Sequence, residues 1–271
     1  MMSTFFPSST PPSGNRQSAD APEMLTGHGT SPQAWKASKR LAEVAPIGCE
    51  QLVPANKRAV IIAPHPDDEI LGSGGLLQLL HQEKRPLLLI SVTNGDSCHR
   101  HSTLWDEQRL GIIRSQESAE ALSRLGLSHS TLKWIHGGFP DAQVAQHEQE
   151  LQRFLATYLQ PSDVVFTTWR EDGHSDHEAV AQAALRACAN LGAVCYEMPI
   201  WAWHWAAPED PRIPWERARK ILLDHNAQAR KRHAIQAFAS QLYSDPASPQ
   251  KPKLTPAMLQ RWQQPFELFF L

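Results

Sequence analysis

The stretch Arg58-Ala59-Val60-Ile61-Ile62-Ala63-Pro64-His65-Pro66-Asp67-Asp68-Glu69-Ile70 decides the reading of the fold. A β-branched run bounded by proline predicts a buried strand, and the glycine-punctuated apolar segment from Ile70 to Leu80 predicts a helix after it. Strand, loop and helix in that order open an α/β unit, and open α/β sheets bind their ligands beyond the carboxyl ends of the strands. His65, Asp67 and Asp68 place one imidazole and two carboxylates there, on backbone stiffened by Pro64 and Pro66. That is half of a metal site. Acidic residues also favour the first turn of a helix and Asp is a preferred cap, so this cluster alone does not separate a helix start from a ligand set.

A second cluster of the same kind shifts the balance. His174-Ser175-Asp176-His177 follows the apolar run Asp163-Val164-Val165-Phe166-Thr167-Thr168-Trp169 and again opens a helix. Ser175 and Glu178 match the capping box S-x-x-E, which predicts His174 just before the helix and His177 in its first turn. Two histidine-carboxylate clusters at two strand ends point to one shared site.

Outward from these clusters, strands and helices alternate. Strands are predicted over Pro86 to Thr93, Thr131 to His136, Val164 to Trp169 and Val194 to Trp201, with helices over Trp105 to Leu125, Val144 to Leu159 and Asp176 to Leu191. The series predicts a mostly parallel, doubly wound sheet in a Rossmann-like three-layer α/β sandwich. The loop Asn94 to Thr103, with His99, Arg100 and His101, is expected on the rim of the site as exposed surface. Trp201, Trp203 and Trp205 concentrate aromatic surface at a strand end, suited to a sugar-stacking wall or to a hydrophobic lid. Gly72, Gly74 and Gly75 interrupt the first helix, through close approach near the metal or through helix-to-sheet packing. Beyond Pro214, Ala218 to Asp224 reads as a strand, Gln228 to Gln241 as a basic amphipathic helix and Pro265 to Leu271 as an added edge strand.

The motifs Pro64 to Glu69 and His174 to His177 resemble the P-H-P-D-D-E and H-x-D-H signatures of the LmbE-like, or PIG-L, de-N-acetylases, over roughly Lys57 to Gln241. The resemblance implies Zn²⁺ bound by His65, Asp68 and His177, with Fe²⁺ tolerated at such sites, and Asp67 as catalytic base. It also places Arg114, within an R-x-x-E pair with Glu117, on the substrate side; the alternative is an ordinary ion pair one helical turn apart.

The chemistry can be argued independently of the family. Two imidazoles and one carboxylate leave a position open on Zn²⁺, where a water has its pKa lowered toward about 7. Asp67 is then free to take a proton from that water and pass it to a leaving nitrogen. His174 is expected to stabilise the oxyanion as a protonated imidazole, with Asp176 holding its ring and raising its pKa. The reaction implied is hydrolysis of an N-acetyl, or other N-acyl, group on an amino sugar or glycoconjugate. A non-haem Fe(II) oxygenase with a 2-His-1-carboxylate site and a non-catalytic metal-binding protein are the alternatives. The alternation of strands with helices opposes the first, and the spare carboxylate and imidazole oppose both.

The whole chain fits this reading. Its 271 residues are 41% hydrophobic, enough for a sizeable core, and a formal charge of −2 gives no reason to expect nucleic acid as a partner. The partner implied is a small-molecule or glycoconjugate substrate. Four cysteines without C-x-x-C spacing suit free thiols in the cytoplasm. Residues 1–44 are expected to form a mobile Ser/Pro-rich arm from Met1 to about Pro32, too polar for a membrane span, and a capped helix over Ser31 to Val44 beside the first strand. Phe5 and Phe6 would suit packing on the body or on a second subunit, which leaves room for an oligomer. Residues 45–245 form the expected deacetylase domain, and 246–271 a Pro-rich linker with a tail packed on it.

Overall fold

The computed structural model describes residues 27–99, 106–128, 130–244 and 252–271. The strands are β1 (Ala59–Ala63), β2 (Leu87–Thr93), β3 (Lys133–Phe139), β4 (Val164–Thr168), β5 (Val194–Met198), β6 (Ala218–Leu222) and β7 (Phe266–Phe270). The helices are α1 (Pro32–Ala37), α2 (Lys39–Glu43), α3 (Cys49–Leu52), α4 (Asp68–Gln82), α5 (Glu107–Arg124), α6 (Glu148–Tyr158), α7 (Ser175–Leu191), α8 (Ala202–Trp205), α9 (His225–Ile235), α10 (Ala239–Leu242) and α11 (Pro256–Trp262). Residues 1–26 of the mobile arm expected from Met1 to about Pro32, Phe5 and Phe6 among them, and most of the Pro-rich linker lie outside the described residues, as do Arg100 and His101.

One seven-stranded sheet runs β3-β2-β1-β4-β5-β7-β6. Strands β3, β2, β1, β4 and β5 are mutually parallel, and β7 pairs antiparallel with both β5 and β6. Alternation along β1 explains the three layers. Ala59, Ile61 and Ala63 pack into one apolar cluster with α4, while Val60 and Ile62 pack into the other with α6 and α7. The sheet grows outward from β1 in both directions, toward β2 and β3 on one side and β4 and β5 on the other. The carboxyl ends of β1 and β4 therefore flank the topological switch point, where this architecture opens a crevice.

Several local expectations are corrected. The helix expected over Ser31 to Val44 breaks at Ser38, whose extended backbone lets its hydroxyl accept from Leu41 N and donate to Pro208 O. It lies away from β1: Trp35 donates through Nε1 to Trp203 O, and α1 packs on α11. The C-terminal strand is not an edge, because β7 inserts between β5 and β6. Its Glu267 is buried, accepts from Gly75 N (2.6 Å) and Leu76 N (2.8 Å) where α4 kinks at Ser73, and pairs with Lys231 Nζ at 2.6 Å. Packing explains the α4 glycines, since a Cβ on Gly72 would stand 2.5 Å from Met198 Sδ and one on Gly75 2.4 Å from Leu223 Cδ2.

Candidate active site

The β1–α4 and β4–α7 loops bring the two histidine clusters together. His65 Nδ1 lies 3.3 Å from His177 Nε2 and 3.3 Å from Asp68 Oδ2, and His177 Nε2 lies 3.2 Å from the same carboxylate oxygen. Tetrahedral coordination at about 2.0–2.1 Å places neighbouring donor atoms about 3.3–3.4 Å apart, so the three atoms already occupy three corners of a zinc-sized tetrahedron. Charge fits as well. Asp67, Asp68, Glu69, Asp141, Asp172 and Asp176 are all buried here, with Arg114 as the buried guanidinium among them. Buried carboxylates in such excess call for positive charge, and a divalent cation at the triangle would supply it.

Each donor is held by its neighbours. Asp68 Oδ2 also accepts from His65 N at 3.0 Å. The far nitrogen of His65, Nε2, lies 3.2 Å from both Asp141 Oδ1 and Asp176 Oδ2. His177 is turned by Asp172, whose Oδ2 accepts from Nδ1 at 2.8 Å. Burial opposes the charged form of His177, but Asp68 and Asp172 outweigh it and raise its pKa to about 9. A second group, His65, His174 and Asp176, also offers convergent atoms, but it uses the nitrogen of His65 that faces away from Asp68 and His177.

Asp67 does not cap α4. Its side chain makes no bond to the helix amides, and its backbone has φ 132° and ψ −31°, a region that costs about 1–3 kcal/mol for a residue other than glycine. The conformation is held from both sides, with Asp67 N donating to Glu69 Oε2 and Asp67 O accepting from Ile70 N and Leu71 N. Strain of this kind aims the carboxylate away from the helix and toward Arg114, whose Nη2 donates to Oδ2 at 3.2 Å. Burial raises the Asp67 carboxyl to about 8 against the pull of Arg114, with Asp68 and Glu69 adding to the rise.

Arg114 is only 3% exposed, and its other bonds go to Pro66 O (2.6 Å), Gly95 O (2.9 Å) and Cys98 Sγ (3.7 Å). It thus lies behind Asp67, its guanidinium committed to the loops that carry the site. Glu117 does not pair with it but accepts from Ser240 N and Oγ. His99, on the rim loop, is buried and bonds Ser240 O through Nε2, which departs from the exposed surface expected there.

The arrangement of His174 and Asp176 departs from the expected pair. The cap of α7 is His174 and not Ser175: Nδ1 of His174 accepts from Asp176 N at 3.3 Å, and Glu178 reaches Gly173 N. The Asp176 carboxylate is spent on Ala142 N (2.8 Å), Val144 N (3.2 Å) and His65. Burial and the neighbouring imidazoles of His177 and His65 push His174 down to about 3, so it stands neutral. Since Nδ1 accepts, the proton of the neutral ring sits on Nε2. Its ring lies 4.9 Å from that of His65 and 4.7 Å from that of His177.

Of the tryptophans, Trp201 lies nearly parallel to His174, with ring centroids 6.3 Å apart. Trp203 packs on Trp35 instead, and Trp205 donates to Asp172 O at 2.7 Å. These rings stand in the turn and short helix α8 that follow β5, so the strand predicted to Trp201 ends at Met198.

Comparison with known proteins places the chain in a family. Residues 60–188 match the GlcNAc-PI de-N-acetylase (PIG-L) family, a span holding both clusters and Arg114. An uncharacterized deacetylase of Escherichia coli K12, YaiS, is 35% identical over 159 residues, covering 55% of this chain and 78% of that protein. The chain belongs to the PIG-L family. A 1D-myo-inositol 2-acetamido-2-deoxy-alpha-D-glucopyranoside deacetylase from Thermomonospora curvata is 26% identical over 205 residues, covering 61% and 69% of the two chains. Among solved structures, a triple mutant of the deacetylase of the teicoplanin biosynthetic pathway shares the fold at a TM-score of 0.59 and 21% identity, over 79% of this chain and 97% of that one. The Pyrococcus horikoshii N,N'-diacetylchitobiose deacetylase does so at 0.50 and 18%, over 69% and 71%.

Two residues of this PIG-L site escaped the sequence reading. Asp141 follows β3 and Asp172 follows β4, each within a few residues of a strand end and a glycine. Position at a strand end was the available signal, but neither stands in a histidine cluster.

Proposed function

We propose that this PIG-L protein hydrolyses the N-acetyl group of an amino sugar or glycoconjugate, with one zinc ion at His65, Asp68 and His177. The triangle of donor atoms at 3.2–3.3 Å carries this reading, with the strained Asp67 carboxylate beside it. Held by His65, Asp68 and His177, such an ion would polarise the amide carbonyl and lower the pKa of a water toward about 7. Fe²⁺ would suit the same mixed donors.

The remaining work falls to the chain's own groups. Asp67 takes a proton from the attacking water and returns it to the amide nitrogen, so that acetate and a free amine leave. Burial makes this carboxylate a stronger base, and Arg114 opposes part of that rise. His174 hydrogen-bonds the tetrahedral oxyanion through its Nε2–H, which stays on the ring, and needs no positive charge to do so. Asp176 and Asp141 orient His65, and Asp172 orients His177, so each imidazole presents a lone pair to the ion.

The oxygenase alternative is not favoured, because the sheet is mostly parallel and flanked by helices and the relatives are deacetylases. Among the described residues no helix is long and apolar enough to cross a membrane. The four cysteines stand as free thiols, which suits a cytoplasmic enzyme. Assay of the zinc-loaded protein for amine release from a panel of N-acetylated sugars tests the reading. Release that is lost in Asp67→Asn supports it, and a panel without release by the wild type overturns it.

A further inference from the structure

Cys98 stands half-buried on the loop after β2 as a free thiol, and the hydrolysis has no use for it. Three side chains converge on its sulfur. Arg114 of α5 donates through Nη1 to Sγ at 3.7 Å, Gln241 of α10 donates through Nε2 at 3.5 Å, and the ring of His99 bonds it from the next position in the chain. His99 is itself held, because its Nε2 bonds Ser240 O at 2.9 Å while Ser240 donates through N and Oγ to Glu117. A thiol, an imidazole beside it and a carbonyl that orients the imidazole form the kind of arrangement that activates a cysteine.

The charges favour the thiolate. Burial opposes it, but Arg114, His99 and Gln241 prevail and bring the Cys98 thiol down to about 7. The bond to Cys98 in turn raises His99 above its ordinary value, so thiolate and imidazolium stand together near neutral pH. Glu117 and Lys253 also face His99, with opposite signs, and α10 carries no charged residue. Other cysteines are pushed the opposite way: burial takes Cys49 up to about 12, and the bond to Cys188 raises Cys195.

One side chain ties this sulfur to the catalytic carboxylate. Arg114 reaches Cys98 through Nη1 and both Asp67 Oδ2 and Pro66 O through Nη2, and Cys98 stands ahead of Asp67 among the charges that favour the guanidinium. It has little room to yield, since a Cβ on Gly95 would collide with Nη1. Its Nε is buried without a partner among the described residues, which leaves one donor to offer when the guanidinium turns. An oxygen on the sulfur would cancel the thiolate charge and press on Nη1, displacing the group that holds Asp67 and the Pro66 carbonyl.

We propose that Cys98 is a site of reversible oxidation by hydroperoxides, and that Arg114 carries the change to Asp67. The thiolate attacks one peroxide oxygen, an S–O bond forms as the O–O bond breaks, and the leaving oxygen takes the proton of His99. With hydrogen peroxide the products are a sulfenic acid and water, the sulfur having lost the two electrons that the peroxide gains. A free thiol then displaces the oxygen as water to give a mixed disulfide, and a second thiol restores Cys98. The modification is independent of the deacetylase reading and rests on it only for the effect on turnover.

The test exposes the full zinc-loaded chain to hydrogen peroxide with dimedone and reads the adduct on each cysteine by peptide mass. Cys98 is expected to be trapped at least about 10-fold faster than Cys49 or Cys195, because more of it is thiolate near neutral pH. Its alkylation by iodoacetamide should have a midpoint near pH 7, moved upward in His99→Gln. Peroxide alone should lower amide hydrolysis about 10–100-fold, the scale of a misplaced catalytic group, with zinc retained. Dithiothreitol should reverse the loss, and Cys98→Ser, measured against its own untreated rate, should resist it. The Nε–H resonance of Arg114, assigned by its absence in Arg114→Lys, should move on oxidation. Trapping at Cys98 no faster than at Cys49 or Cys195 overturns the proposal, and so does oxidised Cys98 with a stationary Arg114 resonance or with unchanged hydrolysis by an active wild type. If the wild type hydrolyses no sugar, the deacetylase reading alone fails, and the trapping rates and the Arg114 resonance still decide the site.

Discussion

Asp172 and His177 meet at 2.8 Å between Oδ2 and Nδ1, both fully buried, and the same carboxylate accepts from the backbone amides of Ile200, Trp201 and Ala202. One side chain therefore ties the imidazole on α7 to the turn after β5. Replacing Asp172 with Asn keeps an acceptor but removes the charge that makes His177 a better ligand, and zinc affinity is expected to fall about 10–100-fold in a competition titration. His177→Ala should lose the ion altogether. Equal zinc content in wild type and His177→Ala by elemental analysis would refute the ligand assignment.

Arg114→Met tests the group behind Asp67. The guanidinium lowers the carboxyl that burial raises, so its loss should raise the Asp67 pKa further. A base works in its ionised form, and the acid limb of kcat/KM should accordingly move to higher pH, with zinc content unchanged. Arg114→Lys should return the limb part of the way, since it restores the charge but not the bonds to both Pro66 O and Gly95 O.

Legibility from the sequence followed locality. His65, Asp68 and His177 stand in short motifs at strand ends, where chain order alone predicts their meeting. The bonding of Asp176 was not legible, because whether it serves its neighbour His174 or the distant His65 depends on how the Ala142 to Val144 backbone folds over the site. The place of β7 was hidden for a similar reason. Phe266 to Phe270 reads as a strand, but its insertion between β5 and β6 depends on Glu267 reaching Lys231 and the kink of α4, contacts far apart in sequence. The break at Ser38 is a matter of cap chemistry, in which one hydroxyl closes α1 and opens α2.

Glu197 anchors the sheet where β5 meets β7, and its stability contribution has a definite sign with pH. Burial raises its pKa, but bonds from Arg170 and Arg217 prevail and hold it below the ordinary glutamate value. A carboxylate depressed in the folded state stabilises above its unfolded pKa of about 4.3, and the contribution is lost as pH falls through the folded value. Glu197→Gln is expected to cost about 1–3 kcal/mol at pH 7, toward the lower end because both arginines are about a third exposed. Thermal melts should show the variant and wild type converging as pH is lowered below about 4.

The two neighbouring aspartates should fail in different ways. Asp68→Asn removes a donor of the triangle and should weaken zinc binding. Asp67→Asn should retain the ion and lower kcat by roughly 10²–10⁴-fold, the range of a lost general base. An Asp67→Asn protein with zinc bound and near wild-type hydrolysis would remove the proposed base.

His174 distinguishes a neutral donor from a charged one. If it acted as an imidazolium, the rate would fall as it deprotonated, and His174→Ala would abolish a basic limb in the pH profile. Its Nδ1 instead accepts from Asp176 N, and burial beside two other imidazoles holds its pKa near 3. A cation at His65 and His177 would push in the same direction, since it too opposes a charge on His174. Across the working range the ring is therefore a fixed Nε2 donor with no titration of its own. His174→Ala should lower kcat/KM about 10²–10³-fold, the scale of a lost oxyanion donor, by the same factor from pH 6 to 9 and with zinc retained. His174→Gln, which keeps a neutral N–H donor, should recover part of that loss. A basic limb present in the wild type and missing in His174→Ala would instead show that the imidazole works protonated, and that bound substrate reverses the balance of charges seen here.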